Sequence, residues 1–99
     1  MGRFGEYIKN LREKNSLLQR QVSSGLNIDT PMLSKIERGE RKDKREYIPI
    51  LATMFNSNAQ ELLAVWLADK VYDIVKDEEE GLKAIQLVEA DVKNRKRKM

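Results

Sequence analysis

Apolar residues recur along the chain at helical spacing, in six runs separated by polar breaks. Phe4, Tyr7, Ile8 and Leu11 fall at i, i+3, i+4 and i+7 and predict an amphipathic first helix that Asn15-Ser16 ends. Ser16-Leu17-Leu18-Gln19 matches a capping box, with serine at N-cap and glutamine at N3. It starts a second helix that reaches about Gly25, with Val22 and Leu26 inward. Asn27 accommodates the left-handed conformation of a tight turn, and Ile28 plugs the core. Asp29 or Thr30 caps a third helix. Pro31 fits its first turn, where a missing N–H costs nothing. Leu33 and Ile36 form its buried face, and Gly39 stops it.

A charged stretch, Glu40–Arg45, leads to a fourth helix with Ile48, Leu51, Ala52 and Phe55 inward. Pro49 must lie in its first turn, so the helix starts near Tyr47 or Ile48. Asn58-Ala59-Gln60-Glu61 is a second capping-type start and opens a long fifth helix. Its apolar residues cover more than one stripe: Leu62, Leu63, Trp66, Leu67, Val71, Ile74 and Val75, with Val65 and Tyr72 to the side. Asp77 with Glu78–Glu80 begins a sixth helix whose apolar line is Leu82, Ile85, Val88 and Val92. Its acidic start and basic end both suit the helix macrodipole. The pattern divides the chain into a five-helix unit over 1–63, a helical extension over 64–92 and a basic flexible tail over 93–99. The expected fold class is all-α.

Charge sharpens this picture. Residues 1–45 hold 11 Lys/Arg against 6 Asp/Glu, residues 46–92 hold 3 against 10, and residues 93–99 hold 5 against none. The basic half contains the second and third helices. The acidic middle would repel a phosphate backbone and is expected to face away from one. With no cysteine and no histidine, disulfides, thiolate metal sites and the commonest general base are gone. No phosphate loop or converging carboxylate pair replaces them, so neither catalysis nor a metal or other cofactor is expected. The first residues are charged throughout, unlike a secretory signal, and no apolar run approaches the roughly 20 residues of a membrane span. The expected location is cytoplasmic, with no membrane partner.

The segment from Gln19 to Gly39 carries the chemistry. Two short helices joined by a tight turn, the second bearing Ser34, Lys35 and Arg38, suit the major groove of DNA. Surface helices with solvated lysines are common, so the pair alone says little. The added signals are LSKIERG (Leu33–Gly39), the preceding Gln19 and the basic run Arg38–Arg45. With IKNLREK (Ile8–Lys14), Val22, Ile28 and the apolar pattern Leu51–Leu63, residues 4–63 resemble the Xre family of helix-turn-helix regulators. That family has the lambda-repressor-like fold: a five-helix DNA-binding domain, here with a C-terminal helical extension. The short length and added helices are similar to controller proteins of restriction–modification systems.

The resemblance implies that Thr30, Pro31, Ser34 and Lys35 touch base edges and that Gln19 bonds a phosphate. It implies that Arg38, Arg41, Lys42 and Lys44 meet the DNA backbone, and that Arg12 and Glu37 form a structural ion pair. The expected partners are double-stranded DNA, a second copy of the chain and RNA polymerase, which the protein would block or touch. Acidic Glu37 and Glu40 permit such a touch.

The wide apolar surface of the fifth helix has two explanations. The sixth helix covers it within one chain, or two chains pair there. Two-fold symmetry is what lets a small regulator reach two half-sites, which favours a homodimer. Its expected interface comprises Val65, Trp66, Tyr72, Ile85 and Val88, with Trp66 exposed on the isolated five-helix unit. The rival reading is a protein-interaction module, such as an antitoxin or adaptor, that uses the C-terminal helices.

Overall fold

The computed structural model describes residues 3–40 and 43–98. These form six helices: α1 Arg3–Lys14, α2 Gln19–Leu26, α3 Thr30–Glu37, α4 Tyr47–Met54, α5 Ala59–Val75 and α6 Gly81–Lys98. The chain divides into two compact units, residues 1–69 and 70–99.

In the first unit, Phe4, Ile8, Val22, Leu26, Leu33, Ile36, Ile48, Leu51, Ala52, Phe55 and Leu62 form one buried cluster. Each helix contributes the residues that its apolar spacing turns inward. Tyr7, Leu11, Leu17, Ile28 and Met54 pack around that cluster half-buried. The unit extends past the expected boundary at residue 63. Val65 and Trp66 also pack against the core, and the Trp66 indole N–H donates to Asp43 Oδ1 at 2.8 Å. One turn later, Asp69 reaches α1: its two carboxylate oxygens accept the N–H groups of Arg3 and Phe4 at 2.9 and 2.8 Å. A carboxylate there satisfies two first-turn donors and complements the positive end of the helix.

The first four helices end in the same way. Ser16, Asn27, Gly39 and Asn56 have φ of 57°, 59°, 75° and 49°. After each, the next N–H reaches back to a carbonyl five residues earlier, as in Leu17→Arg12, Ile28→Ser23, Glu40→Lys35 and Ser57→Ala52. This is the Schellman arrangement. It turns the chain sharply enough for short helices to pack on one core.

Two helix starts differ from the sequence expectation. Ser16 does not cap α2; it is the left-handed residue that ends α1. The α2 N-cap is Leu18, whose side chain has no acceptor, and the Gln21 side chain accepts the Leu18 N–H at 2.7 Å. Gln19 is therefore the first residue of the helix and not the N3 residue of a box. At the other end of the chain, α6 starts at Gly81, after the acidic run, and continues through Lys98 where a flexible tail was expected. Lysine and arginine are good helix formers, and they suit the negative C-terminal end of the macrodipole.

Helix α1 crosses close to the C-terminal end of α3 at Gly5. A Cβ there would strike the carbonyl oxygens of Ile36 and Glu37, lying 2.7 Å from the latter. Only a residue without a side chain lets the two backbones approach so near.

In the second unit, the end of α5 and most of α6 present apolar side chains to solvent. Val71, Tyr72 and Ile74 are exposed on α5, and Leu82, Ile85, Leu87, Val88 and Val92 on α6. Among the described residues, no helix is long and apolar enough to cross a membrane.

Candidate nucleic-acid interface

Helices α2 and α3 are locked together at both ends of their turn. Asp29 caps α3 by accepting the Met32 N–H at 2.7 Å. The buried Ser23 hydroxyl lies 3.1 Å from the Thr30 hydroxyl and 3.2 Å from the Arg20 carbonyl. This polar bridge holds the start of α3 against α2. It also engages the Thr30 hydroxyl in a hydrogen bond within the protein.

The C-terminal end of α3 is held by Glu37. Its side chain is only 3% exposed and that of Arg12 is 11% exposed. Arg12 Nε donates to Glu37 Oε2 at 2.7 Å and Nη2 to Oε1 at 3.1 Å, a bidentate pair. A third Arg12 donor, Nη1, bonds the Leu17 carbonyl at 3.1 Å. The hydrogen bond to Glu37 raises the Arg12 guanidinium above its ordinary pKa, with burial acting against it. Gln19 completes the network: its Nε2 donates to Glu37 Oε1 at 3.0 Å. One guanidinium, one carboxylate and one amide thus join α1, α2 and α3.

Glu37 therefore has no free surface for another protein. Of the two acids expected to permit a polymerase contact, only Glu40 is exposed. It is paired with Arg38, whose Nε donates to Glu40 Oε2 at 2.6 Å. Arg38 Nη1 also donates to Ser34 Oγ at 2.6 Å. The hydrogen bond from Arg38, opposed by a smaller desolvation effect, holds the Glu40 carboxyl below its usual pKa. Both side chains are more than half exposed. Solvent screens so exposed a pair, and an anion from outside can displace the carboxylate.

Pro31, Ser34, Lys35 and Arg38 lie at i, i+3, i+4 and i+7 and share one outward face. Pro31, Lys35 and Arg38 are exposed; Thr30 and Ser34 are half-buried. Gln19, half-buried, opens α2, and Arg20 beside it is exposed. The sequence pattern had not singled out Arg20. It lies in the first turn of α2. Lys44 is exposed just before α4. The expected contacts Arg41 and Lys42 lie outside the described residues.

Of the expected dimer residues, Tyr72, Ile85 and Val88 are exposed, whereas Val65 and Trp66 are half-buried against the core of their own chain. Trp66 is thus not an open patch on the first unit. The fifth helix contains enough apolar residues to serve both the core and the solvent side, and periodicity alone did not say which turn served which.

The family model for Helix-turn-helix (HTH_3) matches residues 8–62, more than half of the chain. Comparison with curated proteins and with solved structures returns no match. The matched segment runs from Ile8 in α1 to Leu62 in α5 and so takes in the Arg12–Glu37–Gln19 network and the whole outward face of α3. Its all-helical architecture is lambda-repressor-like, with C-terminal helices added. The chain belongs to the helix-turn-helix family of DNA-binding transcriptional regulators.

Proposed function

We propose that this regulator binds a near-palindromic operator as a homodimer, with α3 of each copy in a major groove. The observation that carries the reading is the shared outward face of Pro31, Ser34, Lys35 and Arg38 on a helix held at both ends by buried polar contacts. Lys35 is the principal reader, because its ammonium can donate to guanine O6 and N7. Thr30 and Pro31 supply apolar contact, and Ser34 a hydroxyl. Gln19, Arg38 and Lys44 meet phosphates, as do Arg41 and Lys42; Arg20 joins them. Gln19 suits this role because its amide has two N–H donors and Glu37 takes one. Half-site centres lie about 10 base pairs or a multiple apart. Exposed Tyr72, Ile85 and Val88 supply the surface for pairing. The added C-terminal helices also fit a controller of a restriction–modification operon; an operator upstream of methyltransferase and endonuclease genes is what that narrower reading requires.

Selection from a randomised duplex pool yields the operator, and titration of Lys35→Ala against it and a scrambled duplex tests the reading. The variant is expected to lose about 1–3 kcal/mol on the operator only and to relax one base pair per half-site. Equal loss on both duplexes makes Lys35 a phosphate contact and overturns the assignment.

A further inference from the structure

Helix α6 is amphipathic yet solvent-exposed. Leu82, Ile85, Val88 and Val92 form one line and are 69%, 39%, 57% and 51% exposed. Every described residue of α6 beyond Gly81 is exposed as well. A lone helix of this length is marginal in water, and an apolar line of this kind is normally buried against something. The helix is also strongly polarised in charge. Asp77, Glu78, Glu79 and Glu80 stand just before its first turn, and Lys93, Arg95, Lys96 and Arg97 fill its last turns, all exposed.

That combination selects its own complement. If two α6 helices lie antiparallel about a two-fold axis near Val88, the acidic start of each runs beside the basic end of the other. Glu78–Glu80 then face Arg95–Arg97 at both ends, and Leu82 and Ile85 meet Val92 and Val88 between them. The contact is isologous, as a two-fold dimer requires. Parallel pairing would set like charges together at both ends. We propose that the face of α6 is covered by α6 of a second copy in antiparallel orientation, with the two charged ends fixing direction and register. The inference rests on the homodimer reading above and adds the surface and the orientation.

Because the chain has no cysteine, introduced thiols report without background. Full-length Leu82→Cys and Val92→Cys chains are mixed and oxidised mildly. Antiparallel pairing brings residue 82 of one copy near residue 92 of the other, within the ~7 Å between Cα atoms that a disulfide allows. It leaves two copies of residue 82 about 16 Å apart along the axis. The expected product is the mixed 82–92 disulfide, with neither variant cross-linking to itself. Self-cross-linking of each variant alone, or a dimer that forms none of these bonds, overturns the arrangement. As a second arm, Arg95→Glu/Lys96→Glu/Arg97→Glu is expected to weaken the dimer on the order of tenfold. Adding Glu78→Lys/Glu79→Lys/Glu80→Lys to the same chain restores it; a triple variant that dimerises like wild type overturns the charge-pairing role. Wild-type protein that sediments as an 11.5 kDa monomer at micromolar concentration overturns the homodimer reading itself, which separates the two failures.

Discussion

Removing Arg12 tests the packing that holds α3 in place. In Arg12→Ala, the Glu37 carboxylate keeps its buried position, 3% exposed, but loses both guanidinium hydrogen bonds and the opposite charge. Gln19 remains as one neutral donor. Breaking a buried pair from one side costs about 3–5 kcal/mol, because the stranded charge must stay desolvated or drag water inward. The released Leu17 carbonyl, in the turn between α1 and α2, adds a smaller loss. A small domain has about 5–15 kcal/mol in total, so the variant loses a large share of its stability. A loss of ~3 kcal/mol lowers Tm by about 12–24 °C in a domain of this size. Urea denaturation followed by far-UV circular dichroism measures the effect through the midpoint. Arg12→Lys should fall between, because one ammonium cannot span both carboxylate oxygens and the Leu17 carbonyl. The Arg12→Met/Glu37→Met pair should recover most of the loss, since no charge is then stranded. A midpoint for Arg12→Ala within about 1 kcal/mol of wild type would refute the argument, because it would mean that Glu37 is solvated.

Gly5→Ala forces a methyl against the Ile36 and Glu37 carbonyls, which cannot move without shifting α3; a loss of at least ~2 kcal/mol is expected by denaturant melting, and a neutral result would deny the close approach. Asp69→Asn keeps one acceptor but loses the charge at the start of α1, and should cost roughly 1 kcal/mol by the same measurement. Glu40→Gln removes the carboxylate that holds Arg38, so binding should tighten on operator and scrambled duplex alike, measured by fluorescence anisotropy; unchanged affinity would mean that Glu40 does not compete with phosphate for Arg38. The Glu40 carboxyl is held below its ordinary pKa, so the pair is intact above that ordinary value and is lost as pH falls through the lowered one; a chemical-shift titration of Glu40 should place its midpoint below that of an unpaired glutamate.

Much of the first unit was legible in the sequence because its helices are short and amphipathic, with explicit ends. The inward residues of α1, α3 and α4 follow from spacing alone. Pro31 and Asn58 marked two helix starts, and Asn27 and Gly39 two ends, because those side chains act on the nearest backbone. The Ser16 capping box failed for an instructive reason: two local patterns competed for the same residues. Closing α1 with a left-handed Ser16 let Gln21 serve Leu18 and freed Gln19 to reach Glu37.

What the sequence by itself determined is thus what neighbours along the chain determine: helices, caps, the buried stripe of each helix and the polarity of charge. Contacts between distant residues were decided only by the tertiary structure. Asp69 caps a helix that begins at Arg3, Trp66 turns its indole to Asp43, and Ser23 shares its hydroxyl bond with Thr30. None of these leaves a periodic signal, because each depends on the angle at which two helices cross. The division of α5 is of the same kind. Its apolar residues cover more than one stripe, and only packing set Leu62 in the core with Val65 and Trp66 against it and left Val71, Tyr72 and Ile74 to solvent.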